Sequence, residues 1–242
     1  MTPAIRPDFD RRAAQYENHA PVQRAAAAWL AEWLPARLEG ATLELGAGTG
    51  LFTRHLVANT DRLLVSDIAP QMVHAGRQAV PQAGWSVADA TNPPSGHSYQ
   101  WLVNCSLVQW LPDPLAAFRA WHRAGAPGAR LLAGWFVRGT LREFLAVCPD
   151  SSPFLWRDAD EWLEILREAG WTPLRHEQRT FTRRHSDGAA MLREVHNAGA
   201  VIPRRFSIAP LRQALRDYDQ RHRTSNGVAT SFEFLRLEAL RS

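Results

Sequence analysis

From residue 41 onward the chain alternates short apolar runs with amphipathic stretches of helical period. The runs at 41–45, 62–66, 84–88, 99–104 and 129–136 are strand-length and end in turn residues or polar side chains, so they predict strands. Between them, 50–59, 70–80 and 113–124 place apolar residues at helical spacing. Such alternation predicts a parallel sheet with helices on both faces. Ligands of open α/β sheets sit beyond the carboxyl ends of the strands. Upstream, Phe9–His19 and Val22–Leu38 predict two N-terminal helices separated by Pro21.

Past residue 137 the pattern loosens. Leu141–Val147 predicts a short helix. Asp158–Ala169 is clearly amphipathic, with Asp158 and Glu161 spaced as a capping box and Gly170 as its stop. Trp171–Thr182 predicts a strand, followed by helices near 186–197 and 208–222, and Val228–Leu237 the last strand. The insertion between those two strands is too long for a plain loop and predicts a lid or a partner-docking element.

The 242 residues, 45% apolar and 21% charged, fit one domain with a large core. No apolar run reaches the length of a membrane span. The polar N-terminus lacks the apolar core of a signal peptide. Two cysteines, Cys105 and Cys148, argue against a disulfide framework. A cytoplasmic protein is expected. All 28 basic residues are arginine, and the formal net charge is +4. From Arg175 to Arg223 eleven arginines face five acids. That basic face is either a solvated surface or a dock for an acidic partner.

Candidate chemistry starts at Glu44-Leu45-Gly46-Ala47-Gly48-Thr49-Gly50, between a predicted strand and an amphipathic segment. The glycines allow a tight turn and let a ligand lie against bare backbone. A dinucleotide fingerprint would place its third glycine at position 51, which is Leu; here it falls at Gly50. The E-x-G-x-G-x-G form resembles the first motif of class I S-adenosylmethionine (SAM) methyltransferases. Asp67 ends the next strand about 20 residues on, where an acid can accept both ribose hydroxyls; it also suits a helix N-cap before Pro70. Asp89 follows the third strand, at the position that lies near the adenine in that superfamily. Ile68, Met72, Ala90 and Asn104 complete the expected donor-binding set with Glu44, Gly46, Ala47, Gly48, Thr49, Gly50, Asp67 and Asp89.

Gln109 and Trp110, after the fourth strand, are candidates for the wall of a methyl-transfer pocket; helix packing is the other reading of Trp110. Asn92-Pro93-Pro94-Ser95 has the outline of an adenine-methyltransferase motif, but Ser95 offers no stacking plane and the motif precedes the fourth strand. It reads as a turn. The nine histidines show no metal-ligand spacing, and no nucleophile elbow occurs. SAM is expected to carry the chemistry without a metal.

One family is similar nearly end to end. Phe9–Gln23 resembles the opening of the malonyl-[acyl-carrier protein] O-methyltransferase (BioC) family of biotin synthesis. Leu107-Val108-Gln109-Trp110 resembles its motif after the fourth strand. Gly139-Thr140-Leu141-Arg142-Glu143-Phe144 resembles its G-[ST]-L-x-E-L segment, with Phe144 in place of Leu. Met191–Ala200 resembles its inserted helix. The resemblance implies a Rossmann-like class I SAM methyltransferase, α/β, with a seven-stranded, mostly parallel sheet whose last strand is antiparallel. It implies one domain over 1–242: an N-terminal cap (1–38), a core (39–182), a helical lid (183–226) and a final strand (227–242). It also implies methylation of the free carboxylate of a malonyl thioester on acyl carrier protein. A carboxylate is ionised at pH 7 and needs no general base. Arg193, with Arg138 second, is then expected to hold that carboxylate, and Tyr16 to donate its hydroxyl or close over the donor. A surface ion pair is the other reading of Arg193, and simple packing that of Tyr16. Arg204 and Arg205, beside Arg183, Arg184 and Arg212, are expected to meet the acidic carrier protein.

Three other functions fit less of the chain. A small carboxylic acid or quinone precursor would need no carrier protein. A nucleic-acid methyltransferase is suggested by the basic pI near 9.8, but the basic region has few interleaved aromatics. A catalytically silent SAM-binding regulator would show no donor turnover.

Overall fold

The computed structural model describes residues 6–60, 62–94, 98–152, 154–199 and 208–242. Its elements in chain order are α1 (Arg6–Arg12), α2 (Pro21–Ala31), β1 (Thr42–Leu45), α3 (Thr53–Leu56), β2 (Leu63–Asp67), α4 (Pro70–Ala79), β3 (Gly84–Val87), β4 (Tyr99–Cys105), α5 (Pro114–Ala124), β5 (Gly125–Phe136), α6 (Arg142–Leu145), α7 (Ala159–Glu168), β6 (Trp171–His185), α8 (Gly188–Asn197), α9 (Ile208–His222), β7 (Arg223–Thr224) and β8 (Gly227–Arg241). Tight 3-10 turns cover Ala13–His19, Val108–Trp110 and Pro149–Ser151.

The strand order is β3-β2-β1-β4-β5-β8-β6, with the two-residue β7 paired to β8 as an eighth strand. The pairs among β1 to β5 are parallel. Strand β8 runs antiparallel between β5 and β6. The chain reverses direction outward from β1, through β2 and β3 one way and β4 and β5 the other. The crevice at that switch point is where an α/β sheet binds its ligand.

Burial on both sheet faces explains the apolar strand cores. Leu43, Leu45, Leu102, Leu131, Ala133 and Trp135 are fully buried in one cluster with Phe118, Trp121, Trp162 and Trp171. Each large side chain removed from water stabilises the fold by about 1.5–3 kcal/mol. The indole N–H groups still need partners there. Trp121 Nε1 donates to the Ala90 carbonyl at 2.6 Å, and Trp171 Nε1 to the Phe118 carbonyl at 3.0 Å. Asp158 and Glu161 form the capping box that starts α7.

Several boundaries differ from the sequence reading. The helix expected to reach Leu38 ends at Ala31, because Trp33 and Leu34 close tight turns onto Leu30 and Ala31 and Pro35 has no N–H to continue the ladder. The helix expected over 9–19 tightens into a 3-10 turn after Arg12. Only Thr53–Leu56 of the 50–59 stretch is α-helical. Strand β6 runs three residues past Thr182, to His185, and β8 runs on to Arg241, because the two pair along nearly their whole length. The inserted helices α8 and α9 pack on α6 through Met191, Val195, Ala214, Tyr218 and Phe144.

Candidate active site

The turn after β1 needs its glycines. Gly46, Gly48 and Gly50 have φ of 65°, 59° and 90°, a region L side chains rarely adopt. A Cβ on Gly46 would sit 2.6 Å from Leu107 Cδ1. A Cβ on Gly48 would meet nothing within 4 Å, so that face of the turn opens on free space. The turn is braced by Asp67 at the end of β2. Its carboxylate accepts from Gly48 N and from Ala69 N, both at 2.9 Å. Ala69, not Asp67, is the N-cap of α4 and carries no side-chain cap. Burial raises the Asp67 pKa, and its backbone hydrogen bonds offset this in part.

An open cleft of about 620 Å³ lies over this turn. Glu44, Gly46, Ala47, Gly48, Asp67 and Met72 line it, as do Tyr16 and Trp110. Glu44 lies at its base, and further buried polar atoms lie in the strands and turn around it. Both carboxyl oxygens of Glu44, both amide atoms of Asn104, and the hydroxyls of Thr49 and Thr53 are buried without a hydrogen bond of full geometry, although the Thr53 hydroxyl lies close enough to Glu44, and that of Thr49 to Glu17, to hold each carboxyl's pKa down in part. Burying a polar group without full hydrogen bonding costs about 1–3 kcal/mol, so Glu44 in the cleft wall marks a place for a polar ligand. Burial pushes the Glu44 carboxyl up to about 8; the Thr53 hydroxyl offsets this in part and the Asp67 charge adds to it.

Of the other residues expected to bind the donor, Thr49 is buried and Gly50 packs its turn against Trp85 and Val80. Ile68 and Asp89 are half-buried, and Asp89 turns back to accept from Thr91 N at 2.9 Å. The Ala90 carbonyl is occupied by Trp121. These five, with Asn104, stand outside the lining of the cleft itself.

A second chamber of about 510 Å³ adjoins the first. Tyr16, Gln23, Ser106 and Trp110 belong to both walls. Beyond them the second chamber is mostly apolar, with Phe136, Leu141, Phe154, Trp156, Val195 and Phe232. Trp110 stands edge-on between Phe9 (5.2 Å) and Phe154 (4.6 Å). The Gln109 amide donates to the Ser106 carbonyl at 2.8 Å, and its oxygen is buried and unpaired, as is Trp156 Nε1. Ser106 holds φ of 63°, a strained conformation for a residue with a Cβ. Burial raises the Tyr16 pKa well above the usual phenol range, with Cys105, Asp67 and Glu17 adding to it. Tyr16 is therefore a hydrogen-bond donor and not a base. Burial also pushes the Cys105 thiol up to about 12, so it stays unreactive at neutral pH.

The N-terminal segment straps over both chambers. Asp10 accepts from Gln71 N at 2.9 Å. Glu17 pairs with Arg54, and Arg12 hydrogen-bonds His196 of α8 at 3.0 Å. Gly199, just past α8, touches the Phe9 ring, since a Cβ there would sit 2.7 Å from it.

Two of the expected substrate arginines are elsewhere. Arg193 is exposed on α8, close enough to Asp187 to lower its pKa, because the same helix turns Met191 and Val195 into the core. Arg138 is exposed and pairs with Glu161 (2.7 Å) and Asp158 (3.8 Å) at the start of α7. Neither lines the second chamber. Arg204 and Arg205 lie outside the described residues. Residues the sequence reading missed are Gln23 and Ser106 in the shared wall, and Phe154 and Trp156 beyond it. The strain at Ser106 has no sequence signal, and Phe154 and Trp156 fall in a stretch without helical or strand period.

No group of three or more His, Cys, Asp or Glu side chains that could hold a metal occurs among the described residues. No helix among them is long and apolar enough to cross a membrane.

The sheet order, the glycine turn and the acid-braced cleft define a class I SAM-dependent methyltransferase. The family described as "Methyltransferase domain" matches residues 43–133. The YcgJ protein of Bacillus subtilis shares the fold, with a TM-score of 0.67 at 13% identity over 90% of this chain and 98% of that one. Among curated relatives, the malonyl-[acyl-carrier protein] O-methyltransferase of Herminiimonas arsenicoxydans is 31% identical over 79% of this chain and 75% of its own length. The bifunctional BioCD protein of Bordetella avium is 30% identical over 97% of this chain, and the bifunctional BioHC protein of Cellvibrio japonicus 33% identical over 69%. The chain spans about half of the first (52%) and about a third of the second (32%). The chain belongs to the malonyl-[acyl-carrier protein] O-methyltransferase family.

Proposed function

We propose that this protein transfers the methyl group of SAM to the free carboxylate of a malonyl thioester carried on acyl carrier protein, as a step of biotin synthesis. The observation that carries the proposal is the pair of chambers meeting at Tyr16, Gln23, Ser106 and Trp110. One is polar at its base and suits the donor; the other is mostly apolar and suits an acyl thioester.

SAM, when bound, supplies an electrophilic methyl on a sulfonium. Glu44 and Asn104 would hold its amino-acid end, Asp67 its ribose, and Met72 would pack against it. The acceptor carboxylate is already ionised at pH 7, so no side chain needs to remove a proton. Its oxygen forms the new bond to the methyl carbon, and the carbon–sulfur electron pair leaves with sulfur. The protein's task is alignment, which can supply roughly 7–11 kcal/mol of the barrier. Tyr16, held protonated, would donate to one carboxylate oxygen and leave the other free to react. The mostly apolar walls favour a neutral ester over the ion that entered. Exposed arginines at the end of β6 and on α9, Arg184 and Arg212 among them, would meet the acidic carrier protein and speed association.

The test is methyl transfer from labelled SAM to malonyl-acyl carrier protein, malonyl-coenzyme A and free malonate, side by side. Label on the carrier protein well above the other two supports the proposal. Equal labelling of free malonate points to a small-acid methyltransferase, and no label on any of the three discards the malonyl acceptor.

A further inference from the structure

We propose that the second chamber recognises the arm on which the acyl group arrives: Gln109 Oε1 and Trp156 Nε1 take the N–H and the carbonyl of a secondary amide on the sulfur side of the thioester. The inference deepens the acyl-thioester reading of that chamber and rests on it.

The chamber has two kinds of wall. Where it meets the donor cleft, Tyr16, Gln23, Ser106 and Trp110 are shared. Away from them its polar side chains, among the described residues, are Gln109, Thr140 and Trp156. The Thr140 hydroxyl is already occupied, since it donates to the Glu233 carbonyl and accepts from Glu233 N, both at 3.0 Å. Gln109 is occupied at one end only. Its Nε2 donates to the Ser106 carbonyl at 2.8 Å. A carbonyl can only accept, so this contact fixes which way the amide points and leaves Oε1 as a pure acceptor. That oxygen is buried and without a partner. So is Trp156 Nε1, which can only donate. A mostly apolar chamber thus offers one acceptor and one donor, and both are unfavourably buried until a ligand completes them.

A secondary amide, with one N–H and one carbonyl, answers both. An alkyl arm would fill the apolar space and leave both atoms unmet. A quinone or a carboxylate brings acceptors alone and would set its lone pairs against those of Gln109 Oε1. The placement agrees with the order of groups along a thioester. The reacting carboxylate meets the methyl group at the shared wall, which includes Trp110. The Phe154 ring lies 4.6 Å from Trp110 and 4.9 Å from Trp156, and these last two rings line the second chamber alone. The sulfur end of the acceptor would follow this row of rings. On the arm of acyl carrier protein, as of coenzyme A, the first polar group past the sulfur is a secondary amide.

The test is steady-state methylation of three small malonyl thioesters by the purified protein. The first is that of N-acetylcysteamine. The second is its N-methyl analogue, which keeps the carbonyl and loses the N–H. The third is that of butanethiol, which has no amide. The expected kcat/KM falls at least about fivefold from the first to the second and again to the third. The loss should lie mainly in KM, because the arm is held alike before and during methyl transfer. Gln109→Met should bring the first two thioesters within about twofold of each other, and Trp156→Phe should do so for the second and third. A variant that only loosened the fold would slow all three together and keep their ratios. Should either variant fail to fold, the three thioesters on the unaltered protein decide. Equal kcat/KM for all three, or ratios unchanged in both variants, overturns the amide recognition and leaves malonyl-thioester methylation standing. No methylation of any of the three by protein that binds S-adenosylhomocysteine overturns the acyl-thioester reading itself, and the amide recognition with it.

Discussion

Glu17, in the 3-10 turn of the strap, grips the guanidinium of Arg54 on α3 with both carboxyl oxygens, one of the contacts measuring 3.1 Å. The pair ties the N-terminal segment to the helix that follows the glycine turn. Desolvation of Glu17 works against ionisation, but the hydrogen bond and charge of Arg54, with Thr49 and Arg24, hold its pKa below the usual carboxylate value. Both partners are about a third exposed. Such pairs are worth about 0.2–1 kcal/mol. Glu17→Gln should therefore barely move the melting temperature. It should weaken S-adenosylhomocysteine binding about two- to fivefold by loosening the strap. Binding calorimetry and thermal unfolding, run together, check this.

Gly46 and Gly48 should fail in different ways. Both have positive φ, which costs a residue with a Cβ about 1–2 kcal/mol. Gly46→Ala also drives a methyl to 2.6 Å from Leu107, inside the core, and should lower the melting temperature by several degrees more than Gly48→Ala. Gly48→Ala has room for its methyl, so the fold should survive. That methyl occupies the space meant for the donor, and binding should drop at least tenfold. Unfolding curves and donor titrations of both variants separate the two effects.

The pH dependence of stability should bear the mark of Glu44. Its folded pKa is about 8 and its ordinary value 4.5. Between those values the native state holds a proton that the unfolded state has lost. Stability of the ligand-free protein should thus fall as pH rises through that window and level off above it. The ceiling of the effect is about 5 kcal/mol at 1.36 kcal/mol per pKa unit. Asp67, also raised by burial, acts with the same sign. Glu44→Gln should flatten the profile and be more stable than the unaltered protein at pH 8. Melting temperatures between pH 5 and 8.5 provide the check.

Tyr16 is held protonated in the wall shared by the two chambers. Tyr16→Phe removes a donor but keeps the ring. A hydrogen bond to a charged group is worth about 1.5–3 kcal/mol, so kcat/KM should fall about ten- to hundredfold. Donor affinity should change less than about threefold. Arg193→Ala, by contrast, should leave kcat/KM within about threefold, because that side chain is exposed beside Asp187. Steady-state kinetics on both variants tests the assignment.

The sheet was legible because its signal is local. Apolar runs ending at Leu45 and Asp67, and glycines at fixed spacing, mark the strand ends and the ligand turn without knowledge of the fold. The capping box at Asp158 and Glu161 is equally local. What could not be read was which way side chains face across distant elements. Arg193 was a plausible carboxylate holder by composition, yet Met191 and Val195 take the inward face of α8. Arg138 sits at the end of β5, where a neighbouring helix start captures it. Gln23, Phe154 and Trp156 reach the site only because the strap and the segment before α7 fold back over it, and Ser106 only through its strained φ.

The most direct test of the central claim follows the methyl carbon itself. SAM labelled with 13C in the methyl group is incubated with the protein and malonyl-acyl carrier protein, and the product is examined by NMR. The account predicts a single new signal at the shift of an O-methyl ester, on the malonyl group, lost on mild alkaline hydrolysis. A signal from an N-, S- or C-bound methyl, or an unchanged malonyl group beside protein that binds S-adenosylhomocysteine, would contradict it.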